Sequence, residues 1–236
     1  MRFSRPLVAA RLIRRYKRFL ADVELADGAE VTAHCANPGS LIGLAVPGAE
    51  TWLSHATNPE RKLRYTVELL GAAGGLVGVN TSLPNRLAAE AVAAGRIPEL
   101  AGYAESRREV RYGENSRIDL LLENADRPPC YVEIKSVTLK RDNALPGTAE
   151  FPDAVTARGA KHLRELAAVA VAGDRAVMLF VAQRGDCERL AIAEDIDPVY
   201  AESLRAAVDA GVETLCYACN VSPQAIELAR PLPLAL

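Results

Sequence analysis

The sequence predicts a mixed chain, with an all-β barrel over residues 1–82 followed by an α/β domain over residues 83–236. Three observations carry that division. Up to about Ser82 short apolar stretches are punctuated by turn residues, at Leu25-Ala26-Asp27-Gly28, Asn37-Pro38-Gly39, Pro47-Gly48 and Gly74-Gly75, which is the rhythm of a small barrel. Beyond that point stretches of helical spacing alternate with short continuous apolar runs, as in a domain built on a partly parallel sheet. Half of the 236 residues are apolar and the net charge is only −2, so the chain can bury a sizeable core without being disordered or strongly polyionic.

The N-terminal part is basic. Between Met1 and Leu20 lie Arg2, Arg5, Arg11, Arg14, Arg15, Lys17 and Arg18 with no acidic residue, interleaved with Tyr16 and Phe19. A second cluster follows at Arg61-Lys62-Leu63-Arg64-Tyr65. Basic grooves with stacking aromatics hold nucleic acid without reading its sequence. Arg14, Arg15, Tyr16, Lys17, Arg18, Arg61, Lys62 and Arg64 are therefore candidate contacts to single- or double-stranded DNA, the competing reading being a solvated basic face. A five-stranded oligonucleotide-binding (OB-like) barrel fits both the length and these rows. The glycines are turn residues and not a phosphate loop, since no Gly-Lys-Ser or Gly-Lys-Thr follows them.

In the α/β part a helix is expected from Leu87 to Ala94, with Asn85 as N-cap and Gly95 as its stop. Two strands follow, Ser116 to Leu122 and Cys130 to Val137, bounded by Asn115, Asn124 and Pro128-Pro129. A long loop spans Arg141 to Pro152. The next helix, Thr156 to Val171 with Gly173 behind it, places Leu163, Leu166 and Ala170 on its apolar stripe and Arg158, His162 and Glu165 on the other face. A strand from Ala176 to Ala182, a helix from Pro198 to Ala210 and a strand from Glu213 to Cys219 complete the series.

The two strands before the long loop carry the chemistry. Alternation puts Tyr131, Glu133 and Lys135 on one face of their strand and Val132 and Ile134 on the other. With Asp119 on the neighbouring strand, two carboxylates and an ammonium converge, and two carboxylates are what Mg²⁺ takes from protein. That arrangement points to a metal-dependent phosphodiesterase; the alternative is an edge-strand ion pair between Glu133 and Lys135. The five cysteines are odd in number and scattered, which fits a reducing compartment. Cys216-Tyr217-Ala218-Cys219 lies in a strand, where residues three apart face opposite ways, and with no second Cys or His pair it is a poor zinc knuckle. No apolar run approaches the roughly 20 residues of a membrane span, and Arg11 interrupts the only short run near the start, so a cytoplasmic protein is expected.

The order helix, strand with Asp, strand with Glu-x-Lys, helix, strand resembles the core of the PD-(D/E)xK nuclease superfamily, with Ile118 in place of its proline. Longer stretches resemble the bacterial sugar fermentation stimulation protein A family: Arg14 to Asp22, Ser116 to Asp119, Tyr131 to Leu139, and Phe151-Pro152-Asp153-Ala154-Val155-Thr156 with Arg158-Gly159 and Lys161 to Leu166. The resemblance implies an OB-like barrel, a PD-(D/E)xK nuclease-like domain, sequence-non-specific DNA binding and a regulatory link to maltose metabolism. It also implies Asp119, Glu133 and the Ile134 carbonyl as ligands of Mg²⁺ or Mn²⁺, with Lys135 positioning or helping to deprotonate the attacking water. Glu90 would be the added acid from the preceding helix, or else a solvated helix residue. Arg158, Lys161 and His162 would touch backbone phosphate, or else pair with Glu165. Two functions remain open: a Mg²⁺-dependent nuclease, and a non-catalytic DNA-binding regulator of sugar-utilisation genes. Substrate and homo-oligomeric state are not legible.

Overall fold

The computed structural model describes residues 1–58 and 60–235. Its first half is a barrel of β1 (Val8–Tyr16), β2 (Leu20–Leu25), β3 (Glu30–His34), β4 (Glu50–His55) and β5 (Tyr65–Ala72), extended by β6 (Gly75–Gly78). The strand order is β3-β2-β1-β4-β5-β6, and a parallel contact between His34 of β3 and Thr66 of β5 closes the sheet. Alternate residues turn inward, so that Leu12, Ala21, Val23, Ala33, Leu53 and Val67 fill the interior. Gly28 and Gly75 turn the β2–β3 and β5–β6 connections at φ values of 81° and 125°, which only glycine adopts freely.

The second half centres on a six-stranded sheet of order β14-β13-β11-β9-β8-β7. β7 (Glu105–Tyr112), β8 (Ser116–Asn124) and β9 (Arg127–Val137) form an antiparallel meander. β11 (Arg175–Ala182) and β13 (Glu213–Val221) continue it in parallel, and β14 (Ile226–Pro231) returns antiparallel. From Ala176 to Ala182 the central strand β11 is continuously apolar, as a parallel strand covered on both faces must be. Its Val177, Leu179 and Val181 enter one core, beneath α1 (Pro84–Ala93); its Met178 and Phe180 enter another, beneath α2 (Ala157–Val171) and α3 (Pro198–Asp209). Burying each such side chain is worth about 1.5–3 kcal/mol.

The two halves share structure. β5 is buried on both sides because Val67 and Leu70 face the barrel interior while Leu69 belongs to the α1 core. Gly78 N–H donates to the Gln183 carbonyl at 2.7 Å, and Val77 bridges Arg184.

Several expectations need correction. Asn85 is not an N-cap: Pro84 opens α1, its missing N–H being no loss there, and Leu83 holds the cap position with no side-chain bond. The Pro128-Pro129 pair does not bound β9 but lies inside it, beside a one-residue register shift in the β8–β9 ladder, the bulge at which a strand tolerates proline. The segment read as a loop up to Pro152 contains β10 (Thr148–Phe151), which pairs with β12 (Arg189–Ile192), in turn paired with β15 (Leu234–Ala235). β7 escaped the sequence reading because it is an edge strand whose Glu-Ser-Arg-Arg-Glu run is exposed on both faces, so no apolar alternation marks it. Cys216 and Cys219 do lie in a strand and enter opposite cores. Among the described residues no helix is long and apolar enough to cross a membrane.

Candidate metal centre and nucleic-acid face

From its bulge the β8–β9 ladder runs through Leu122↔Cys130 to Leu120↔Val132 and stops there. One residue further along β8, Asp119 replaces the lost rung: its Oδ2 accepts the Ile134 N–H at 2.8 Å. Its Oδ1 accepts the Asn85 side-chain amide at 2.7 Å, so the residue expected to cap α1 instead carries that helix onto the site.

Glu133 is buried on the α2 face of β9. Its Oε1 accepts from Lys135 Nζ at 2.7 Å and from His162 Nδ1, and its Oε2 is buried with no partner. Arg158 Nε donates to His162 Nε2 at 3.2 Å; since a guanidinium only donates, the imidazole proton sits on Nδ1, pointed at Glu133. The phenols of Tyr112 and Tyr200 are also buried without a hydrogen-bond partner, as are both carboxylate oxygens of Glu165, whose nearest cation is Lys161 Nζ at 3.6 Å.

Charge in this pocket is unevenly compensated. Burial, and then the negative charge of Glu133, push the Asp119 carboxyl up to about 6. Burial works to raise Glu133 as well, but the His162 bond and the Lys135 charge overcome it and hold that carboxyl below its ordinary value. Burial and the carboxylates Glu133, Glu165 and Asp119 raise the Tyr112 phenol far above its usual range, keeping it a neutral donor. Among the described residues no three His, Cys, Asp or Glu side chains form a closed metal cage. What remains is a hard-oxygen pair with one carboxylate oxygen unsatisfied, a donor set that fits Mg²⁺ or Mn²⁺, which take few protein oxygens and keep waters.

Other expected site residues are placed differently. Glu90 lies five positions after Asn85, about 140° around α1, and pairs with Arg86 at 2.8 Å and with the Met1 ammonium at 3.1 Å; it does not join the pair of carboxylates. His162 is buried against Glu133 and so is no phosphate contact. Arg158 supports His162, and Lys161 donates to the Glu114 carbonyl of the β7–β8 turn at 2.9 Å. Of the basic block, Arg15 is structural: it binds the carbonyls of Asn37, Gly39 and Ser40, tying down the loop whose Ser40 Oγ donates to the Asp153 carbonyl at 2.6 Å. Arg14 pairs with Asp22 at 2.8 Å and lies over the Tyr16 ring, whose hydroxyl also donates to Asp22. Lys17 and Arg18 are exposed at the β1–β2 tip beside Phe19, itself stacked on His34, and Arg61, Lys62 and Arg64 are exposed on the β4–β5 loop. Asn85, Tyr112 and the His162 support of Glu133 were missed. Only the Arg158/His162 spacing of four residues hinted at any of them.

Profiles of two domains match the chain, the "Sugar fermentation stimulation protein RE domain" over residues 82–225 and the "SfsA N-terminal OB domain" over residues 13–79. Sugar fermentation stimulation protein homologs from Maricaulis maris and Rhodospirillum centenum are 60% and 59% identical to it, each over the whole of this chain and 99% and 100% of their own lengths. The solved structure of Pyrococcus furiosus SfsA in complex with Ca²⁺ superimposes with a TM-score of 0.89 at 27% identity, covering 100% of this chain and 98% of that one. The barrel followed by an α/β domain is thus the architecture of these relatives, and the chain belongs to the sugar fermentation stimulation protein family.

Proposed function

We propose that the chain is a sequence-non-specific DNA-binding protein whose α/β domain carries a divalent-cation phosphodiesterase site of the PD-(D/E)xK type. The observation that carries this reading is the Glu133 Oε2 atom, buried and unpartnered one strand away from an Asp119 carboxyl whose pKa is raised to about 6 by burial and by the negative charge of Glu133. Such a pair is costly without a cation and well suited to one. Asp119, Glu133 and the Ile134 carbonyl would hold Mg²⁺ or Mn²⁺, which supplies Lewis acidity toward a phosphate ester. The Ca²⁺ complex of the Pyrococcus furiosus relative is in keeping with an oxygen-ligand site.

The chain's own residues do the positioning. Asn85 and the Ile134 N–H orient Asp119, and His162, held by Arg158, orients Glu133. Lys135, with 15% of its side chain exposed, is the cation that reaches the mouth and can neutralise a phosphoryl oxygen there. The barrel supplies the DNA grip through Lys17, Arg18 and the Phe19–His34 stack, whose charges and rings suit a backbone and unpaired bases. The cysteines are all free and buried, in keeping with a reducing cytoplasm.

Calorimetry of wild type and Asp119→Asn with Mg²⁺ and Mn²⁺, alongside cleavage of single-stranded, duplex and branched DNA, tests the proposal. Metal binding lost in the variant together with metal-dependent cleavage supports it. DNA binding without cleavage above the variant's level leaves a non-catalytic DNA clamp, the form in which a regulator of sugar-utilisation genes would act.

A further inference from the structure

A groove of about 490 Å³ runs between the mouth of the barrel and the first turn of α1. Its floor is Glu68 of β5, only 6% exposed, the sole acid among the lining residues. Oε1 of Glu68 accepts from Ser54 Oγ at 2.6 Å and Oε2 from Asn80 Nδ2 at 2.9 Å. Asn80 is itself fixed, since its Oδ1 accepts from the Ser82 N–H and hydroxyl at the start of α1. Each carboxylate oxygen keeps a second lone pair, so the floor is a rigid acceptor edge.

The walls are imidazoles. His34 is stacked on Phe19 with ring centroids 6.4 Å apart, and His55 meets Tyr65 edge-on at 5.1 Å. The remaining side-chain charge is cationic: Arg2, Arg61, steadied by a 3.2 Å bond to Thr66, and Arg86, which also pairs with Glu90 at 2.8 Å, line the groove. An acceptor floor, aromatic walls and guanidinium flanks match the three parts of a nucleotide: a base edge with an exocyclic amine, a flat ring and a phosphate.

The groove and the carboxylate pair are served by consecutive residues of α1. Arg86 lines the groove, and the residue before it, Asn85, holds Asp119 through its amide.

We propose that this groove takes one unpaired nucleotide of a single strand, reads its base through Glu68, and favours cytosine over thymine. Cytosine offers its N4 amine to an acceptor floor, whereas thymine offers the O4 acceptor, which Glu68 repels. The inference deepens the DNA-binding reading above and rests on it, and it makes the strand that reaches Asp119 and Glu133 a single strand threaded past α1.

The test uses the full-length protein in EDTA at pH 8, with fluorescence anisotropy of labelled oligo-dC and oligo-dT of about 12 nucleotides, within the span of one barrel. Wild type should bind oligo-dC at least about threefold more tightly, the effect of a single hydrogen bond. Glu68→Gln should level the two, and Arg61→Ala should weaken both while keeping their ratio. Photocrosslinking of a 5-iododeoxycytidine oligonucleotide to wild type, which needs no variant to fold, should mark the peptide holding His34 or His55. Equal binding by wild type, a preference that survives Glu68→Gln, or adducts only outside the groove overturns the assignment and leaves DNA binding intact. Competition by free dCMP as strong as by the oligonucleotide would make it a small-molecule pocket and overturn the threaded strand. If neither oligonucleotide binds, the DNA-binding reading falls and this inference with it.

Discussion

Asp119→Asn is expected to stabilise the cation-free protein at alkaline pH, an unusual outcome for a buried hydrogen-bonded residue. Burial and Glu133 move this carboxyl from 3.8 to about 6 on folding. A raised acid keeps its proton in the folded state at pH values where the unfolded chain has lost it. Stability is therefore full below about pH 3.8, falls between 3.8 and 6, and stays low above, the total loss being about 3 kcal/mol. Asparagine removes that loss. It can still accept the Ile134 N–H through its oxygen, but its own amide then faces the Asn85 amide, a mismatch of about 1–2 kcal/mol. The net expectation at pH 8 in EDTA is a gain of about 1–2 kcal/mol, and at pH 4.5, where most of the carboxyl penalty is already absent, about 2 kcal/mol less. Urea unfolding of both proteins at the two pH values measures the difference. Mg²⁺ at a hundredfold excess over its Kd should add about 2.7 kcal/mol to wild type and nothing to the variant. An equal change in stability at both pH values would mean that Asp119 is not strained in the folded protein, and the charge argument for a cation would fail.

Arg15→Ala should cost about 2 kcal/mol, seen as a lower urea midpoint, because it frees the carbonyls of Asn37, Gly39 and Ser40. Lys17→Ala with Arg18→Ala should leave the midpoint unchanged and reduce the salt dependence of DNA affinity; the reverse pattern would exchange their roles. His162→Ala should lower stability by about 2–4 kcal/mol, since it opens a cavity and leaves Glu133 Oε1 to Lys135 alone, and a loss below 1 kcal/mol would show that the bond to Glu133 is not formed. All five cysteines are buried and reduced, and burial raises the thiols of Cys130, Cys216 and Cys219, so a thiol reagent should label the folded protein only as fast as it unfolds.

Elements whose signals are local are legible in the amino-acid sequence alone. The apolar runs holding Asp119 and Glu133, the continuous strand at Ala176 to Ala182 and the helices near residues 160 and 204 all follow from periodicity, and the alternation within β9 placed Glu133 and Lys135 on one face. Edge strands such as β7 and β10 have no such signal, because their pairing is decided by the neighbour that covers them. The partners of those side chains are set by the fold. Periodicity could not tell that His162 turns inward to Glu133, that Arg15 holds a loop while Lys17 and Arg18 face solvent, or that α1 reaches the site through Asn85 and turns Glu90 away. A side chain's helix or strand is written in the few residues around it, whereas what a charge meets is set by chain folded in from tens of residues away, and the free energy of a buried charge depends on that meeting.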